Sequence, residues 1–423
     1  MTSLPACLRL ARTEQVGPRT WRKLVDKYGS AAEALEALPY LPVKGRNQPV
    51  IPPMAVVMRE IDATLQMGGC FLTLFDADYP AFLRQIPDAP PVLSVLGDVS
   101  CLSRAGVSIV GARNASAQGM RLAESLATEL VESGLSVISG LARGIDKAAH
   151  KGALHRQGCT IAAIAGGLDC PYPPENANLQ AEIAHKGAVV TEAPLGTAPL
   201  ARHFPRRNRL IAGLGLGCVV VEAAPHSGTL ITARMVVDYG RELFAVPGSP
   251  LDPRCRGSNN LLRNGAILTE SVADILPHLP PVVPQPAGSI VSLPGVSAPR
   301  QKKSASSAQT GLPFVLDRPE PAFFASPQNV DEKEPIALKP HFSAPSTAQD
   351  VRENLLSLLS FTPIAVDDLI RRCQFSASAV LVALTELELS GCVSTYSGGM
   401  VGLADNQAET AGEVLLAGRS ERV

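Results

Sequence analysis

Short apolar runs alternate with amphipathic stretches through the middle of the chain, from about residue 71 to residue 279. Each run is rich in Val, Ile, Ala or Leu, as is typical of parallel strands that are covered on both faces. The predicted strands are 107–110, 136–139, 160–164, 188–191, 218–221 and 243–246. The predicted helices are 118–133, 144–156, 175–186, 207–214 and 229–240. This alternation predicts an α/β domain over 71–279, built on a Rossmann-like doubly wound parallel sheet.

The region before this domain, residues 1–70, has a different pattern. Its apolar residues recur at helical spacing, and a Gly17-Pro18 corner separates the stretch around Leu10 from the one around Trp21. We therefore predict a small helical domain in which two helices meet at that corner.

The region after the central domain changes composition twice. Residues 280–347 are rich in proline, serine, alanine and glutamine and lack periodicity, so they cannot bury enough apolar surface to order, and we predict a disordered linker. Residues 348–405 then carry three helical stretches and a short hairpin with a Gly398-Gly399 turn, which is typical of a winged helix. Residues 406–423 form a tail.

Composition limits the function classes. The formal net charge is -1, so a nucleic-acid partner would need a local basic patch. No secretory signal follows the first Met, and no apolar run approaches the about 20 residues of a membrane span, so we expect no membrane partner. The nine cysteines are scattered without a CxxC pair, which argues against a zinc site and favours free thiols in a reducing cytoplasm.

Glycine and arginine residues cluster where the predicted strands end. The first strand ends in Gly111-Ala112-Arg113, ahead of a helix whose N-terminus would favour an anion. The segment GARNASAQG lacks the GxGxxG spacing, the second strand ends without an acidic residue, and no Walker A loop is present. We therefore expect no NAD and no other cofactor.

The other strand-end loops supply further candidates, and the carboxyl ends of parallel strands share one edge of a sheet. Arginines there would hold phosphates and aromatic rings would stack on bases, so we predict a cleft for a flexible polyanion with exposed bases. The candidate residues are Gly140, Arg143, Gly144, Tyr172, Asn176, Phe204, Arg206, Arg207, Asn208, Arg209, Ser227 and Gly228. Singly, each has a plainer interpretation: a glycine as a tight turn, Tyr172 or Phe204 as core, and Arg207 or Arg209 as facing solvent or pairing with Glu222.

A catalytic set is incomplete. Asp146 and His150 lie four residues apart and would share one helix face as an acid–base pair, or else Asp146 braces a loop with His150 packed below it. Ser227 follows Glu222 without the GxSxG elbow that would expose a nucleophile. We expect no catalytic residues and no metal site.

The segments SIVGAR, SGLARGIDKAAHKGAL, GGLDCPYPPEN, HFPRRNRLIAGL, VVEAAPHSGTLITA and GSNNLLRNGA together resemble the DprA/Smf family of DNA-processing proteins, in order and spacing. The N-terminal region resembles the sterile-alpha-motif-like, helix-hairpin-helix region of that family, and the C-terminal region resembles its winged helix. The resemblance implies a homodimeric, non-enzymatic protein that binds incoming single-stranded DNA during natural transformation and helps load the recombinase RecA. It also implies that the loop Gly111, Ala112 and Arg113 holds phosphate. The residues that it implies for the rest of the cleft are Gly140, Gly144, Tyr172, Asn176, Phe204, Arg207, Asn208 and Arg209.

The sequence departs from the family pattern at two positions. Ala112 stands where a serine or threonine is usual, and Pro174 stands where many members have a basic residue. The first change removes a hydroxyl and leaves the backbone N–H, while the second removes a cation. Both changes put DNA affinity in doubt more than they do function.

The flanking domains leave alternatives open. Arg19, Arg22, Lys23 and Lys27 follow the Gly17-Pro18 corner and form either a phosphate-binding face or a solvated helix face. The winged helix has Arg371 and Arg372 beside many acidic residues, which favours either a protein contact or an unused remnant over duplex DNA readout.

Two rival functions also remain. One is an enzyme that cleaves nucleoside monophosphates, because SGTLITA faintly resembles the glycine loop of such enzymes, although their trailing glutamate is missing. The other is a nucleotide-sensing module that signals through the winged helix.

Overall fold

A computed structural model of the chain describes residues 3–41, 49–156, 158–280, 348–360, 363–373, 375–396 and 399–404. The predicted linker beyond Pro280, Gly398 of the predicted turn and the predicted tail lie outside the described residues.

The N-terminal region is helical, as predicted. It contains α1 (Leu4–Ala11), α2 (Pro18–Tyr28), α3 (Ala31–Ala37) and α4 (Met54–Gln66), with a 3-10 turn at Leu38–Tyr40. Trp21 is buried at the centre of this module, where its indole N–H donates to the Cys7 carbonyl at 3.3 Å. Phe71 and Val92 belong to the same apolar cluster, so the module packs directly on the central domain.

The central domain contains nine strands in one sheet, in the order β1-β2-β6-β5-β4-β3-β7-β8-β9. The strands are β1 (Gly69–Thr73), β2 (Val92–Gly97), β3 (Gly106–Val110), β4 (Ser136–Ser139), β5 (Thr160–Ala163), β6 (Ala188–Thr191), β7 (Gly217–Val220), β8 (Glu242–Ala245) and β9 (Ile267–Leu268). The helices are α5 (Ala81–Gln85), α6 (Ala117–Glu132), α7 (Ile145–His155), α8 (Ala177–Lys186), α9 (His203–Leu214), α10 (Gly228–Asp238) and α11 (Arg256–Arg263). The doubly wound fold is confirmed, with buried strands between layers of helices.

The predicted parallel sheet is extended at one end by two antiparallel strands. The pairs β1–β2 and β2–β6 are antiparallel, whereas every pair from β6 through β9 is parallel. The residues of β1 directly follow α4, and their apolar spacing was interpreted as a continuation of the helix. As a result, the predicted boundary between residues 70 and 71 falls inside β1.

One expectation about cysteine is wrong for two of the nine residues. Cys101 and Cys159 form a disulfide. The 3-10 turn Val99–Ser103 packs beside β5, which brings the two Cα atoms to 6.0 Å, within the range that a disulfide spans. Scattered positions in the sequence gave no indication of this proximity.

The winged helix is confirmed and has three helices and three strands. These are α12 (Ala348–Leu358), β10 (Ile364–Ala365), α13 (Val366–Arg372), α14 (Ala377–Leu389), β11 (Val393–Tyr396) and β12 (Met400–Leu403), with strand order β10-β12-β11. The module docks on the central domain, because Ala117 of α6 is buried in its apolar cluster and Gln118 donates to the Pro363 carbonyl at 2.8 Å.

Candidate functional site

The topology fixes where the strand-end loops meet. From β3 the chain winds through β4, β5 and β6 on one side, then returns to place β7 against the other side of β3. The gap between the loops after β3 and β7 is therefore the switch point of the sheet, where ligands bind in open α/β folds. Thr229 ties the two loops together, since its hydroxyl donates to the Gly111 carbonyl at 3.0 Å.

The loop after β4 is held from below by buried side chains. The Asp146 carboxylate accepts from the Gly140 N–H at 3.1 Å and from the Ala142 N–H at 3.4 Å. The Asn176 amide donates to the Leu141 carbonyl at 2.9 Å. Gly144 has a φ of 72°, and a Cβ there would lie 2.3 Å from the Ala112 carbonyl oxygen, so this position requires glycine. These contacts fix the loop's backbone against the β3 loop.

Arg207 of α9 is buried below the same loops. Its guanidinium donates to the Gly140 carbonyl and, at 2.8 Å, to the Ala163 carbonyl, which joins α9 to the ends of β4 and β5. Burial lowers the pKa of Arg207 to about 10, although Asp146 opposes the shift, so the guanidinium remains charged at neutral pH. Burial also raises the pKa of Asp146, and the charge of Arg207 acts against that rise.

The buried Arg207 also contacts a cluster of aromatic rings with a second cation. We call these four residues the ring cluster: Arg113, Tyr172, Phe204 and Arg207. The Arg113 guanidinium lies 4.7 Å from the centre of the Phe204 ring, and that of Arg207 lies 5.7 Å away. Tyr172 meets Phe204 edge to face, with ring centres 5.7 Å apart. Tyr172 is 43% exposed and Arg113 is exposed, so a ligand in solution can reach a ring and a cation side by side.

Two serines cap the helices that point at the switch point. Ser116 accepts from the Gly119 N–H at 2.9 Å, while its own hydroxyl and N–H donate to Glu222. Ser227 accepts from the Thr229 N–H at 3.2 Å at the start of α10. Glu222 is thus a partner of Ser116 and of neither Arg207 nor Arg209, which excludes one of the plainer interpretations.

The predicted site residues fall into groups according to where the structure places them. The structure brings Gly111, Ala112, Arg113, Gly140, Gly144, Tyr172, Phe204, Arg207, Ser227 and Gly228 to the loops around the switch point. Asn176 and Asn208 are buried and donate to backbone carbonyls, so their side chains support the loops from inside. Arg143 is exposed and pairs with Glu175 at 2.8 Å.

Two other arginines of α9 are not part of the ring cluster itself. Arg209 is buried and pairs with Glu192, so its guanidinium is engaged inside the protein. Arg206 is exposed and lines a cleft of about 940 Å³ between the N-terminal module and the ends of β5 and β6. This cleft was missed from the sequence, because its two walls are far apart along the chain.

His150 and Asp146 have structural contacts. The Thr160 hydroxyl donates to the Val137 carbonyl at 2.9 Å, so the His150 Nδ1–H must be the donor in its 2.7 Å contact with Thr160. Burial, together with the charge of Arg207, lowers the pKa of His150 to about 3. The imidazole is therefore neutral and enclosed. Among the described residues, no three His, Cys, Asp or Glu side chains are grouped to hold a metal ion.

Charged residues of the flanking domains are largely used inside the molecule. Arg22 donates to the Arg84 carbonyl at 3.4 Å, whereas Arg19 is exposed and lines the cleft. In the winged helix, Arg371 pairs with Asp368 at 3.4 Å, and Arg372 lies 3.7 Å from Glu124 of α6. Across the part of the chain that the structure describes, no helix has the length and apolarity to cross a membrane.

Three family models match the chain along its length. Residues 3–63 match the DprA-like N-terminal HHH domain, residues 70–280 match DNA recombination-mediator protein A, and residues 339–399 match the DprA winged helix domain. The order of these domains, with a switch-point site in the middle one, defines a DNA recombination mediator.

Known proteins agree with that class. The chain is 35% identical to protein Smf of Escherichia coli over 82% of this chain and 87% of that one. It is 33% identical to protein Smf of Synechocystis over 79% and 80% of the two chains. The crystal structure of DNA processing protein A from Streptococcus pneumoniae superposes with a TM-score of 0.56 and 32% identity, covering 66% of this chain and 99% of that one. The chain belongs to the DprA/Smf family.

Proposed function

We propose that this chain binds single-stranded DNA at the switch point of its central sheet, without turnover, and that it does so in the cytoplasm as a homodimer. In this function it protects incoming DNA during natural transformation and helps to load the recombinase RecA. The observation that carries the proposal is the ring cluster, in which an exposed cation and an exposed ring share one surface.

The chemistry of the ring cluster favours a single strand over a duplex. A base stacks on an aromatic ring only when its own faces are free, and such stacking contributes about 1–3 kcal/mol per base. Arg113 lies beside the Phe204 ring and provides a cation for the adjoining phosphate. None of these contacts reads a base edge, so we expect binding that depends little on sequence.

Buried side chains beneath the loop after β4 explain how this exposed loop keeps its conformation. Asp146, Asn176 and Arg207 fix the backbone of the loop after β4 from the interior. A binding surface that is already ordered avoids an entropy cost when the strand arrives.

We propose that the protein has no catalytic turnover because the candidate catalytic side chains are already used in structural hydrogen bonds. His150 is enclosed with its Nδ1–H donated to Thr160, and Ser227 caps α10. Neither side chain is placed beside a group that would activate a nucleophile at the surface. RecA loading and the homodimer rest on membership of the family.

The test is a fluorescence anisotropy titration of labelled oligo-dT at low and moderate salt, with wild type and single alanine variants. We expect Arg113→Ala and Tyr172→Ala each to weaken binding about five- to 150-fold, because each removes a contact of roughly 1–3 kcal/mol. Arg156→Ala is the matched control: it removes the same charge at the far end of α7, where Arg156 pairs with Glu132.

Equal affinity of wild type, Arg113→Ala and Tyr172→Ala would contradict the proposal, as would a loss of the same size in Arg156→Ala. If binding follows the expected pattern, a strand-exchange assay with RecA on protein-coated DNA then tests recombinase loading. A screen against nucleoside monophosphates tests turnover.

A further inference from the structure

The cleft between the N-terminal module and the central sheet is a second feature with the character of a binding site. One wall is the corner between α1 and α2, from Ala11 to Thr20, and the other is formed by the ends of β5 and β6 with the start of α9. Its volume of about 940 Å³ falls within the range of roughly 300–1,000 Å³ that is usual for ligand sites.

Buried contacts fix the two walls at their separation. Arg12 spans the floor of the cleft, where its guanidinium pairs with Glu60 at 2.7 Å and donates to the Glu192 carbonyl at 2.8 Å. The shared apolar cluster of Trp21, Phe71 and Val92 holds the same two domains together. The cleft is therefore a permanent part of the fold.

Some of the charged side chains that line the cleft are paired inside the protein, and others are exposed to a ligand. Of the carboxylates, Glu192 pairs with Arg209, and Asp88 accepts from the Tyr239 hydroxyl at 2.9 Å. Arg19 on one wall and Arg206 on the other are exposed. Arg209 compensates the charge of Glu192, whereas a hydroxyl partner leaves Asp88 charged. The exposed cations Arg19 and Arg206 on opposite walls suit a ligand with phosphate groups that passes between them.

The cleft is also continuous with the ring cluster. Arg207 lines the cleft and contacts the Phe204 ring, and Arg206 is its neighbour on α9. Because one cleft is lined by Arg207, Arg206 and Arg19, a strand that extends from the ring cluster into this cleft has both exposed cations within it. A free nucleotide is too short to occupy both the ring cluster and the cleft, whereas a DNA strand can occupy both.

We infer that the cleft is a second subsite for the same single-stranded DNA, in which Arg206 and Arg19 hold the backbone of the strand beyond the nucleotides at the ring cluster. This inference rests on the proposed function, since it assigns the onward path of the strand. The ligand is the phosphodiester backbone, so the subsite is indifferent to sequence and contributes only when the strand is long enough to reach it.

The test compares two lengths of labelled oligo-dT, about 6 and about 20 nucleotides, binding to the full chain. We expect Arg19→Ala to weaken binding of the longer oligonucleotide about three- to fivefold and to leave the shorter one unchanged. The slope of log affinity against log salt should fall by about 0.7 for the longer one only, as expected for the loss of one phosphate contact on a single strand.

Two further variants sharpen the result. Glu14 is an exposed carboxylate on the same wall, so Glu14→Gln should tighten binding of the longer oligonucleotide. Arg59→Ala is the matched control, because Arg59 lies in α4, outside the cleft lining, and donates only within its own helix among the contacts described. Circular dichroism checks that each variant is folded.

The outcomes separate this inference from the proposed function. Unchanged affinity for both lengths in Arg19→Ala and Glu14→Gln would overturn the subsite, and so would an equal loss for both lengths. Competition by thymidine monophosphate at the cleft, with no length dependence, would assign it to a free nucleotide and also overturn it. If wild type binds neither oligonucleotide, the proposed function itself fails and the subsite fails with it.

Discussion

The central switch point and the docked winged helix both carry arginines, and they use them in opposite ways. At the switch point, Arg207 is buried and donates to backbone carbonyls, which leaves Arg113 exposed above it beside an aromatic ring. On the winged helix, Arg371 and Arg372 lie beside Asp368 and Glu124, and Arg121 of α6 pairs with Asp368 at 3.0 Å. The first surface keeps a cation available, whereas the second neutralises its cations within the molecule.

The difference shows that a count of arginines says little about where an anion binds. What matters is whether an exposed arginine packs on an aromatic ring, as Arg113 does, or lies beside carboxylates that cancel its charge, as Arg121 and Arg371 do. By this criterion the winged helix is held as a docked module, through contacts that are largely polar and partly exposed. Three changes test the contrast, in decreasing order of expected effect.

The largest effect is expected at the loop after β4. In Gly140→Ala the new methyl group would lie 2.2 Å from the Arg207 guanidinium and 2.7 Å from the Asp146 carboxylate. Because the arginine must leave its buried position or the loop must move, we expect a loss of about 3 kcal/mol or more in the free energy of unfolding, measured in urea. Oligo-dT binding should fall more than tenfold.

The matched control for that change is Gly228→Ala, where an added methyl group has no neighbour within 4 Å. Its free energy of unfolding should change by no more than about 0.5 kcal/mol. Wild-type stability in Gly140→Ala would mean that Arg207 is not fixed below the loop and would remove the contrast between the two surfaces.

The second change, His150→Gln, tests how stability depends on pH. The pKa of His150 is about 3 in the folded protein and about 6.5 when the chain is unfolded. Between those values the unfolded state binds a proton that the folded state does not, so stability falls as the pH decreases from about 6.5 towards 3. We expect His150→Gln to lose less stability than wild type between pH 7 and pH 4, by a few kcal/mol, in parallel urea titrations.

Wild type and His150→Gln share their carboxylates, so the effect of carboxylate titration on stability cancels in the difference between them. His155→Gln is the control, because His155 is exposed on the same helix and lies 3.7 Å from Glu124. A pH dependence that is identical in wild type and His150→Gln would show that the imidazole is accessible to protons. The support beneath the switch point would then not be sealed.

The smallest effect is expected at the winged helix. Arg254 donates to the carbonyls of Ser357 at 2.7 Å and Leu359 at 2.5 Å, at the end of α12. Arg254→Ala removes both contacts, so we expect docking to weaken by about 1–3 kcal/mol and amide hydrogen exchange in α12 to increase. Binding of oligo-dT should stay within twofold of wild type.

Arg263→Ala serves as the control for Arg254→Ala, since Arg263 is an exposed cation of the neighbouring α11. Unchanged exchange in α12 would indicate that the contacts at Ala117, Gln118 and Arg121 hold the module without Arg254. A loss of oligo-dT binding would indicate that the winged helix takes part in the DNA site, against the contrast drawn above.

The parallel part of the fold was predictable because its signals are local. Each buried strand is a short run of Val, Ile, Ala or Leu bounded by glycine, and six such runs were placed within about one residue of their observed ends. The antiparallel strands β1 and β2 were not separated from their surroundings. Their pairing depends on contacts such as Cys70 with Val95, which are set by tertiary packing.

The candidate site was predictable in position but less so in the role of each residue. Glycine and arginine at strand ends located the edge of the sheet, since topology brings those ends together. The role of each arginine depends on its burial in the folded chain: Arg207 supports the loop, Arg209 pairs with Glu192, and Arg206 faces a cleft. Three arginines within four positions of one helix point in different directions, and composition does not distinguish them.

The contact between Gly140, Asp146 and Arg207 also limits how this site can evolve. Any side chain at position 140 collides with the arginine and the carboxylate, and loss of either charge leaves the other buried beside the loop. A lineage that alters one of the three therefore needs a second change at once. Among homologous sequences, we expect these positions to be inherited as a unit and exchanged only together.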